Sequence, residues 1–181
     1  MEVEGNWPSH FVPNWPFRLG QSDTSVGCMT TTSTTHERVD IQADARALYR
    51  AQSALDRAVR ESAIDPRLHE LVKIRASQIN GCAYCIDMHT RDALSGGDTQ
   101  RRLFALSAWR ESPLFDERER AALALTDALT LIATHADAID PAYEAAAEHF
   151  SSEELAALLY AIAAIGTWNR LAVATHAVFE T

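Results

Sequence analysis

Residues 65–89 read DPRLHELVKIRASQINGCAYCIDMH, and this stretch decides the fold. Asp65 followed by Pro66 is typical of a helix start, because aspartate caps the first turn and proline fits the first helical position. The pair Asn80 and Gly81 is typical of a helix end followed by a turn. The stretch therefore predicts two consecutive helices that pack antiparallel across a short turn.

The second of these helices carries the reactive groups. Cys82, Cys85 and His89 stand at i, i+3 and i+7, so they share one face of the predicted helix. A thiol must lose its proton before it attacks, and His89 lies one turn beyond Cys85. The pattern supplies a nucleophile, a second thiol that can form a disulfide with it, and a base.

The first helix adds a carboxylate to this set. Antiparallel packing would place Glu70 and His89 at similar distances from the turn, so we expect Glu70 to hydrogen-bond the imidazole and orient it. The order of the thiols stays open at this point. Cys82 is closer to the helix N-terminus, which favours a thiolate. Cys85 is closer to His89, which favours the opposite assignment.

Residues 70–89, which hold the glutamate, both cysteines and the histidine, closely resemble the alkylhydroperoxidase D core of the carboxymuconolactone decarboxylase-like family. The resemblance extends from about Val39 to the C-terminus. Residues 168–170, Trp-Asn-Arg, also resemble a stretch of the single-domain members. One position departs from the pattern, because well-studied peroxidase members carry a histidine where this chain has Tyr84.

This resemblance implies a single-domain, all-α helical bundle of the alkylhydroperoxidase D-like type. Its implied activity is that of a thiol-dependent peroxidase or dithiol-disulfide oxidoreductase that reduces hydroperoxides. It implies that Cys85 is the peroxidatic thiol, that Cys82 resolves the product, and that Glu70 and His89 form a proton relay. It also implies an external dithiol reductant of the lipoyl or thioredoxin type, or a partner peroxiredoxin. The family further suggests a closed homo-oligomer, a trimer or a hexamer. We expect no cofactor.

Three other interpretations of the thiol pair compete with peroxidase chemistry. A zinc site usually needs four ligands, and the chain offers no second Cys-x-x-Cys or His-x-x-x-His, so we expect no metal site. A carboxymuconolactone decarboxylase-type lyase would do without a redox cysteine pair. A non-catalytic redox-switch protein would use the disulfide without turnover, so only a turnover measurement separates it from an enzyme.

The other histidines and the cations of the first helix are not expected to take part in the thiol chemistry. Four histidines form no spaced cluster, and we expect them to be surface or satisfied structural residues: His69, His135, His149 and His176. Lys73 and Arg75 are expected to pair with Glu70 or with outer carboxylates. Residues 168–170 could support the active site from behind, but core packing or a subunit contact is expected, and Arg170 is the one whose substitution is worth testing.

Bulk composition excludes several function classes. The 181 residues suffice for one domain with a sizeable core. A net charge of −9 argues against nucleic acid and against anionic membranes. No apolar run is expected to span a bilayer, and the N-terminus lacks the basic region of a secretory signal. With three cysteines and one close pair, we expect a cytoplasmic protein.

The chain divides into two unequal parts. Residues 1–38 carry prolines, tryptophans and a threonine-rich run, so they are expected to be a disordered or loosely packed extension. The alternative is an arm whose tryptophans pack on a neighbouring subunit. Cys28 in this part is expected to be a free thiol. Residues 39–181 are expected to form the helical domain.

Helical periodicity and capping residues predict the rest of that domain. Further helices are expected over 40–60, 98–109, 116–134, 140–150 and 152–179. The apolar positions expected along the first of these are Ala47, Leu48, Ala51, Leu55 and Val59. Gly166 is expected to kink or interrupt the last helix.

Overall fold

A computed structural model describes residues 38–177. The predicted N-terminal extension, apart from its last residue, lies outside the described residues, and so does Cys28. Residues 38–177 form eight α-helices and two short 3-10 segments without any strand, which confirms the all-α prediction. The helices are α1 (Ile41–Asp44), α2 (Arg46–Arg60), α3 (Pro66–Asn80), α4 (Ala83–Ser95), α5 (Gln100–Ala105), α6 (Glu117–Thr130), α7 (Ile139–Ala147) and α8 (Ser152–Thr175). The 3-10 segments are Leu106–Ala108 and Ala136–Ala138.

The helix starts predicted from capping residues are confirmed. Asp40, Asp65, Asp116 and Ser151 each accept backbone N–H bonds in the first turn of the helix that follows, which satisfies donors that have no partner within the helix. Gly81 ends α3 in the left-handed conformation at a φ of 67°, which suits glycine. The predicted sequence of helix, turn and helix over residues 65–89 is therefore present.

Several predicted helix boundaries differ from the structure, and α7 ends at Ala147 rather than at Phe150. The helix over 40–60 is broken at Ala45 into α1 and α2, and the helix over 98–109 tightens after α5 into a 3-10 turn. The helix that starts at Asp116 ends at Thr130 rather than Thr134. The predicted kink at Gly166 is wrong, because α8 runs through it without a break and Arg170 donates to the Gly166 carbonyl at 2.8 Å.

Helix α3 is the centre of the bundle and packs against α4, α6 and α8. The main apolar cluster lies between α3, α6, α7 and α8 and includes Val72, Leu125, Ala146, Leu158 and Ala161. A second cluster joins α3 to α5, the first 3-10 segment and α6 through Leu71, Ile74, Leu103, Leu106 and Leu123. Because α3 takes part in both, the residues that it carries are fixed from several sides.

Helix α8 is the longest in the described part of the chain. Its 24 residues and mean hydropathy of 1.3 would let it cross a membrane by length and composition alone, contrary to the expectation that no run is long enough. The same properties suit a core helix, and α8 packs against α2, α3 and α6. Leu158, Ala161 and Ile165 on it are completely buried, so the core accounts for its apolar character.

Helix α2 turns its apolar face outward. Of the apolar positions predicted along it, only Val59 is buried, and Leu48 is 74% exposed. The inward face is polar because it lines a cavity through Tyr49, Ser53 and Asp56. Periodicity located an amphipathic helix correctly, but the polar side of that helix faces the functional cavity.

Candidate active site

Both thiols lie buried at the start of α4. Cys82 is the N-cap residue, and its sulfur accepts the backbone N–H of Cys85 at 3.4 Å. The two Sγ atoms are 2.8 Å apart and not bonded to each other. Cys82 is 1% and Cys85 2% exposed, so neither thiol can be reached from bulk water except through the adjoining cavity.

The surroundings of the two thiols separate their pKa values. The hydrogen bond from Cys85 lowers the pKa of Cys82 to about 6, against the opposing effect of burial. The same contact and burial raise the pKa of Cys85. The position of Cys82 at a helix N-terminus acts in the same direction, so Cys82 is the more readily ionised thiol of the pair.

The glutamate and histidine meet as antiparallel packing predicted. Glu70 Oε2 on α3 lies 2.8 Å from His89 Nδ1 on α4, and His89 is 4% exposed. Burial acts to raise the pKa of Glu70, but hydrogen bonds from His69 and His89 lower it to about 2. An ionised carboxylate can only accept hydrogen bonds, so the proton of His89 is assigned to Nδ1, and Nε2 is left with a free lone pair.

His69 also reaches this carboxylate, which the sequence interpretation missed. Its Nδ1 lies 3.3 Å from Glu70 Oε1, and its side chain is 2% exposed. The other ring nitrogen, Nε2, is buried without a hydrogen-bond partner. The expectation of a surface or satisfied residue was wrong for His69. Consecutive helix positions point in different directions, so spacing gave no signal that His69 and His89 share one carboxylate.

Asn169 is the second residue that spacing did not single out. This buried amide of α8 donates to Ser77 Oγ and accepts from Asn80 Nδ2, both at 2.9 Å. Its hydrogen bonding also lowers the pKa of Cys82. Arg170, in contrast, is exposed, and within residues 38–177 it bonds only to its own helix. The sequence signal was the Trp-Asn-Arg stretch, but the residue of that stretch near the thiols is Asn169.

The cations of α3 do not pair with Glu70. Lys73 is 1% exposed and its Nζ lies 2.7 Å from Asp56 Oδ1 on α2. Arg75 forms a two-point contact with Asp127 on α6 at 2.6 and 3.1 Å. These ion pairs connect α3 to its neighbours and leave both oxygens of the Glu70 carboxylate to histidines.

A cavity of about 660 Å³ gives access to the site between α2, α4 and α8. Cys85 and His89 line it, whereas Cys82 is not among its lining residues. One wall is aromatic, with Tyr49 and Trp168 in edge-to-face contact at 5.3 Å between ring centres. The remaining side chains that line it include Asp40, Gln42, Ser53, Asp56, Arg57, Arg60, Tyr84, Met88, Asp92 and Thr175.

One group in the described part of the chain has the donor set for a metal ion. Donor atoms of Glu70, His89 and Asp92 lie within 4.8 Å of one another. A cation there would have to replace the hydrogen shared by Glu70 and His89, and three ligands fall short of the usual four for zinc. The hydrogen-bonded arrangement therefore explains these residues better than a metal does.

Comparison with known proteins places the chain in a family. The model of the carboxymuconolactone decarboxylase family matches residues 46–128. The uncharacterized YdfG of Bacillus subtilis is 40% identical over 120 residues, which are 66% of this chain and 81% of YdfG. The chain belongs to the carboxymuconolactone decarboxylase family. The uncharacterized YnjA of Escherichia coli is 31% identical over 99 residues, 55% of this chain and 53% of YnjA.

Solved structures of similar proteins agree with this membership. A protein of unknown function from Agrobacterium tumefaciens, described as a candidate antioxidant defence protein AhpD, is 39% identical with a TM-score of 0.78. The match covers 81% of this chain and 99% of that one. The debrominase Bmp8 has a TM-score of 0.68 at 22% identity over 77% of this chain and 75% of its own, so it supports the fold alone. The predicted resemblance and fold are confirmed.

Proposed function

We propose that this member of the carboxymuconolactone decarboxylase family is a dithiol-dependent peroxidase. The observation that carries the proposal is a reduced thiol pair 2.8 Å apart, whose cavity-lining member Cys85 shares the cavity with His89. His89 is oriented by Glu70 through the 2.8 Å hydrogen bond. This arrangement has the nucleophile, base and orienting group that activated-thiol sites require.

The chemistry balances without a cofactor. His89 takes the proton of Cys85, and the Cys85 thiolate attacks the terminal oxygen of the hydroperoxide. The O–O bond breaks, the leaving alkoxide takes a proton from His89, and Cys85 becomes a sulfenic acid. The Cys82 thiolate then attacks the sulfur of Cys85 and displaces hydroxide as the disulfide forms, and the hydroxide takes a proton from solvent to become water. The two thiols lose two electrons in total, and the hydroperoxide becomes an alcohol and water.

Two properties of the thiols point to different first nucleophiles. The lowered pKa of Cys82 favours Cys82, because more of it is ionised at neutral pH. Access favours Cys85, because Cys85 lines the cavity. We assign the first attack to Cys85, since a sulfur that the substrate cannot reach does not react however well it ionises. A readily ionised Cys82 is suited to the resolving step.

Regeneration of the thiols needs a second dithiol. We propose a lipoyl or thioredoxin-type reductant, or a partner peroxiredoxin, and a cytoplasmic setting in which such donors are kept reduced. The exposed apolar side chains on and near α2 support a closed homo-oligomer, because Val39 is 44% and Leu48 74% exposed. Light scattering that gave a monomer mass at micromolar concentration would contradict this assembly.

A turnover panel tests the proposed function. Hydrogen peroxide and alkyl or aryl hydroperoxides are offered to the full chain with lipoyl or thioredoxin-type donors, and donor oxidation is followed. Peroxidase activity should require both thiols and disappear after alkylation. A lyase activity on a lactone acid that survives alkylation would instead support the decarboxylase alternative. Disulfide formation without turnover would support a redox switch.

A further inference from the structure

Glu70 holds two imidazoles, and the peroxidase scheme uses only one of them. Oε2 lies 2.8 Å from His89 Nδ1, and Oε1 lies 3.3 Å from His69 Nδ1. His89 lines the cavity, whereas His69 is not among its lining residues. A side chain 2% exposed that cannot reach the substrate through the cavity can act on the reaction only through the carboxylate.

We infer that His69 is a positioning residue, which holds the Glu70 carboxylate in the orientation that fixes His89 as the base for Cys85. This inference rests on the proposed function in that Cys85 is the thiol which His89 serves. The ionised Glu70 carboxylate can only accept hydrogen bonds, so its 3.3 Å contact with His69 requires the proton on His69 Nδ1. A donor at each oxygen restrains rotation of the carboxylate about its last bond, and Oε2 stays directed at His89.

The unpartnered nitrogen of His69 supports this role over a purely structural one. Nε2 is buried without a hydrogen-bond partner among the described residues, an arrangement that costs folding free energy. An aliphatic residue would fill the same interior position, next to Leu68 and Leu71 on α3, without that cost. Among the described residues, the polar contact that an imidazole gains here is the one to Glu70, so the chemistry of that carboxylate gives the reason for a histidine.

Two isosteric substitutions separate hydrogen bonding from packing. Asparagine places a side-chain N–H close to the position of Nδ1, and leucine has the same shape without a donor. We expect His69→Leu to slow peroxide consumption roughly tenfold, less than the hundredfold or more that loss of a general base causes. His69→Asn should retain most of the activity. If His69→Leu fails to fold, His69→Phe takes its place.

A second readout does not depend on peroxide turnover. In the reduced chain, the Nδ1–H of His89 should give a slowly exchanging NMR signal, because the proton is held by Glu70. We expect solvent exchange of this proton to be roughly tenfold faster in His69→Leu, because the carboxylate that accepts it is no longer restrained. In His69→Asn the exchange rate should stay close to that of the original chain. This signal would stay unaffected by a change that only altered packing.

A double-mutant cycle completes the test. In the Glu70→Gln background, His69→Leu should cause no further loss, because His69 acts only through the carboxylate. Equal losses of activity in His69→Leu and His69→Asn would overturn the inference. So would a loss of activity on His69→Leu that is as large in the Glu70→Gln background as in the original chain. An unchanged His89 signal in His69→Leu would also overturn it. If the NMR results hold and the original chain turns over no hydroperoxide, the proposed function fails and the positioning role stands.

Discussion

The two halves of α8 bury different kinds of surface. Residues 152–164 join the apolar cluster through Leu155, Leu158 and Ile162. Residues 165–175 meet the thiols, with Asn169 hydrogen-bonded beneath them and Trp168 in the wall of the cavity. The first half contributes stability through apolar burial. The second half buries polar groups that must be paired, and those pairs set the chemistry of the site.

The same division runs through the bundle. Helix α6 contributes Leu125 to the apolar half, α7 contributes Ala146, and α3 faces this half with Val72. Toward the thiols, α3 presents Glu70 and Ser77, each in a hydrogen-bonded network. We therefore expect substitutions in the thiol half to change rates at nearly constant stability, and substitutions in the apolar half to do the reverse.

The largest effect is expected from the thiols themselves. Cys85→Ser should lower peroxide turnover by at least about a thousandfold, because the nucleophile is removed. Cys82→Ser should leave one turnover per chain, after which Cys85 remains a sulfenic acid that a dimedone-type reagent traps. Stopped-flow consumption of hydroperoxide and intact-mass analysis measure both results. A sulfenic acid trapped on Cys82 in Cys85→Ser, with full first-turnover rate, would reverse the order of the thiols.

The relay should give the next largest effect. His89→Ala removes the base, and we expect the rate to fall by about a hundred- to ten-thousandfold. Glu70→Gln should reduce it less, because an unoriented imidazole still accepts a proton. Rates are compared at equal folded fraction, judged by circular dichroism. Asp87→Asn on α4 serves as a control, since the half-buried Asp87 pairs only with Arg91 in the described part of the chain. Full activity in both relay variants would contradict the relay.

The apolar half should respond in stability instead. Leu158 is completely buried in the apolar cluster, so Leu158→Ala should lower the free energy of unfolding by about 2–5 kcal/mol. Peroxide turnover per folded molecule should stay within about twofold, since the void left by the missing leucine atoms does not alter the contacts of the thiols. Urea unfolding monitored by circular dichroism measures the first, and turnover below the unfolding transition measures the second. A parallel loss of both would show that the two halves are coupled.

Much of this division could be predicted from the sequence, for physical reasons. Helix starts follow from residues that cap their own first turn, so Asp65 and Ser151 identify α3 and α8 locally. The meeting of Glu70 with His89 follows from one short turn between two helices. These inferences succeed because they involve few residues close in the chain.

The remainder depends on packing that local patterns do not record. The polar face of α2 lines the cavity, so Leu48, one of the apolar positions that mark its periodicity, is exposed. Asn169 reaches Ser77 across 92 residues of chain. His69 and Lys73 are buried by contacts with single acidic partners, and no spacing rule predicts which partner a buried charge will find.

The smallest effect is expected at the contact between α8 and the thiols. The hydrogen bond from Cys85 is the leading cause that lowers the pKa of Cys82 to about 6, and Asn169 makes a smaller contribution in the same direction. Asn169→Leu should therefore raise the pKa of Cys82 while leaving it below its ordinary value. Thiolate absorbance in the ultraviolet, followed against pH in the reduced chain, measures this change.

The sign of the accompanying stability change follows from the same pKa. Because the folded state lowers the pKa of Cys82, ionisation stabilises the fold at high pH, and this stabilisation is lost as the pH falls through about 6. Asn169→Leu should weaken that pH dependence, since the folded and unfolded pKa values draw closer. Arg170→Gln is the matched control on the same helix and should leave the thiolate titration unchanged, because Arg170 bonds only to Gly166. An unaltered titration in Asn169→Leu would mean that the amide only packs beneath the thiols. The second half of α8 would then differ from the first only in that Trp168 forms part of the cavity wall.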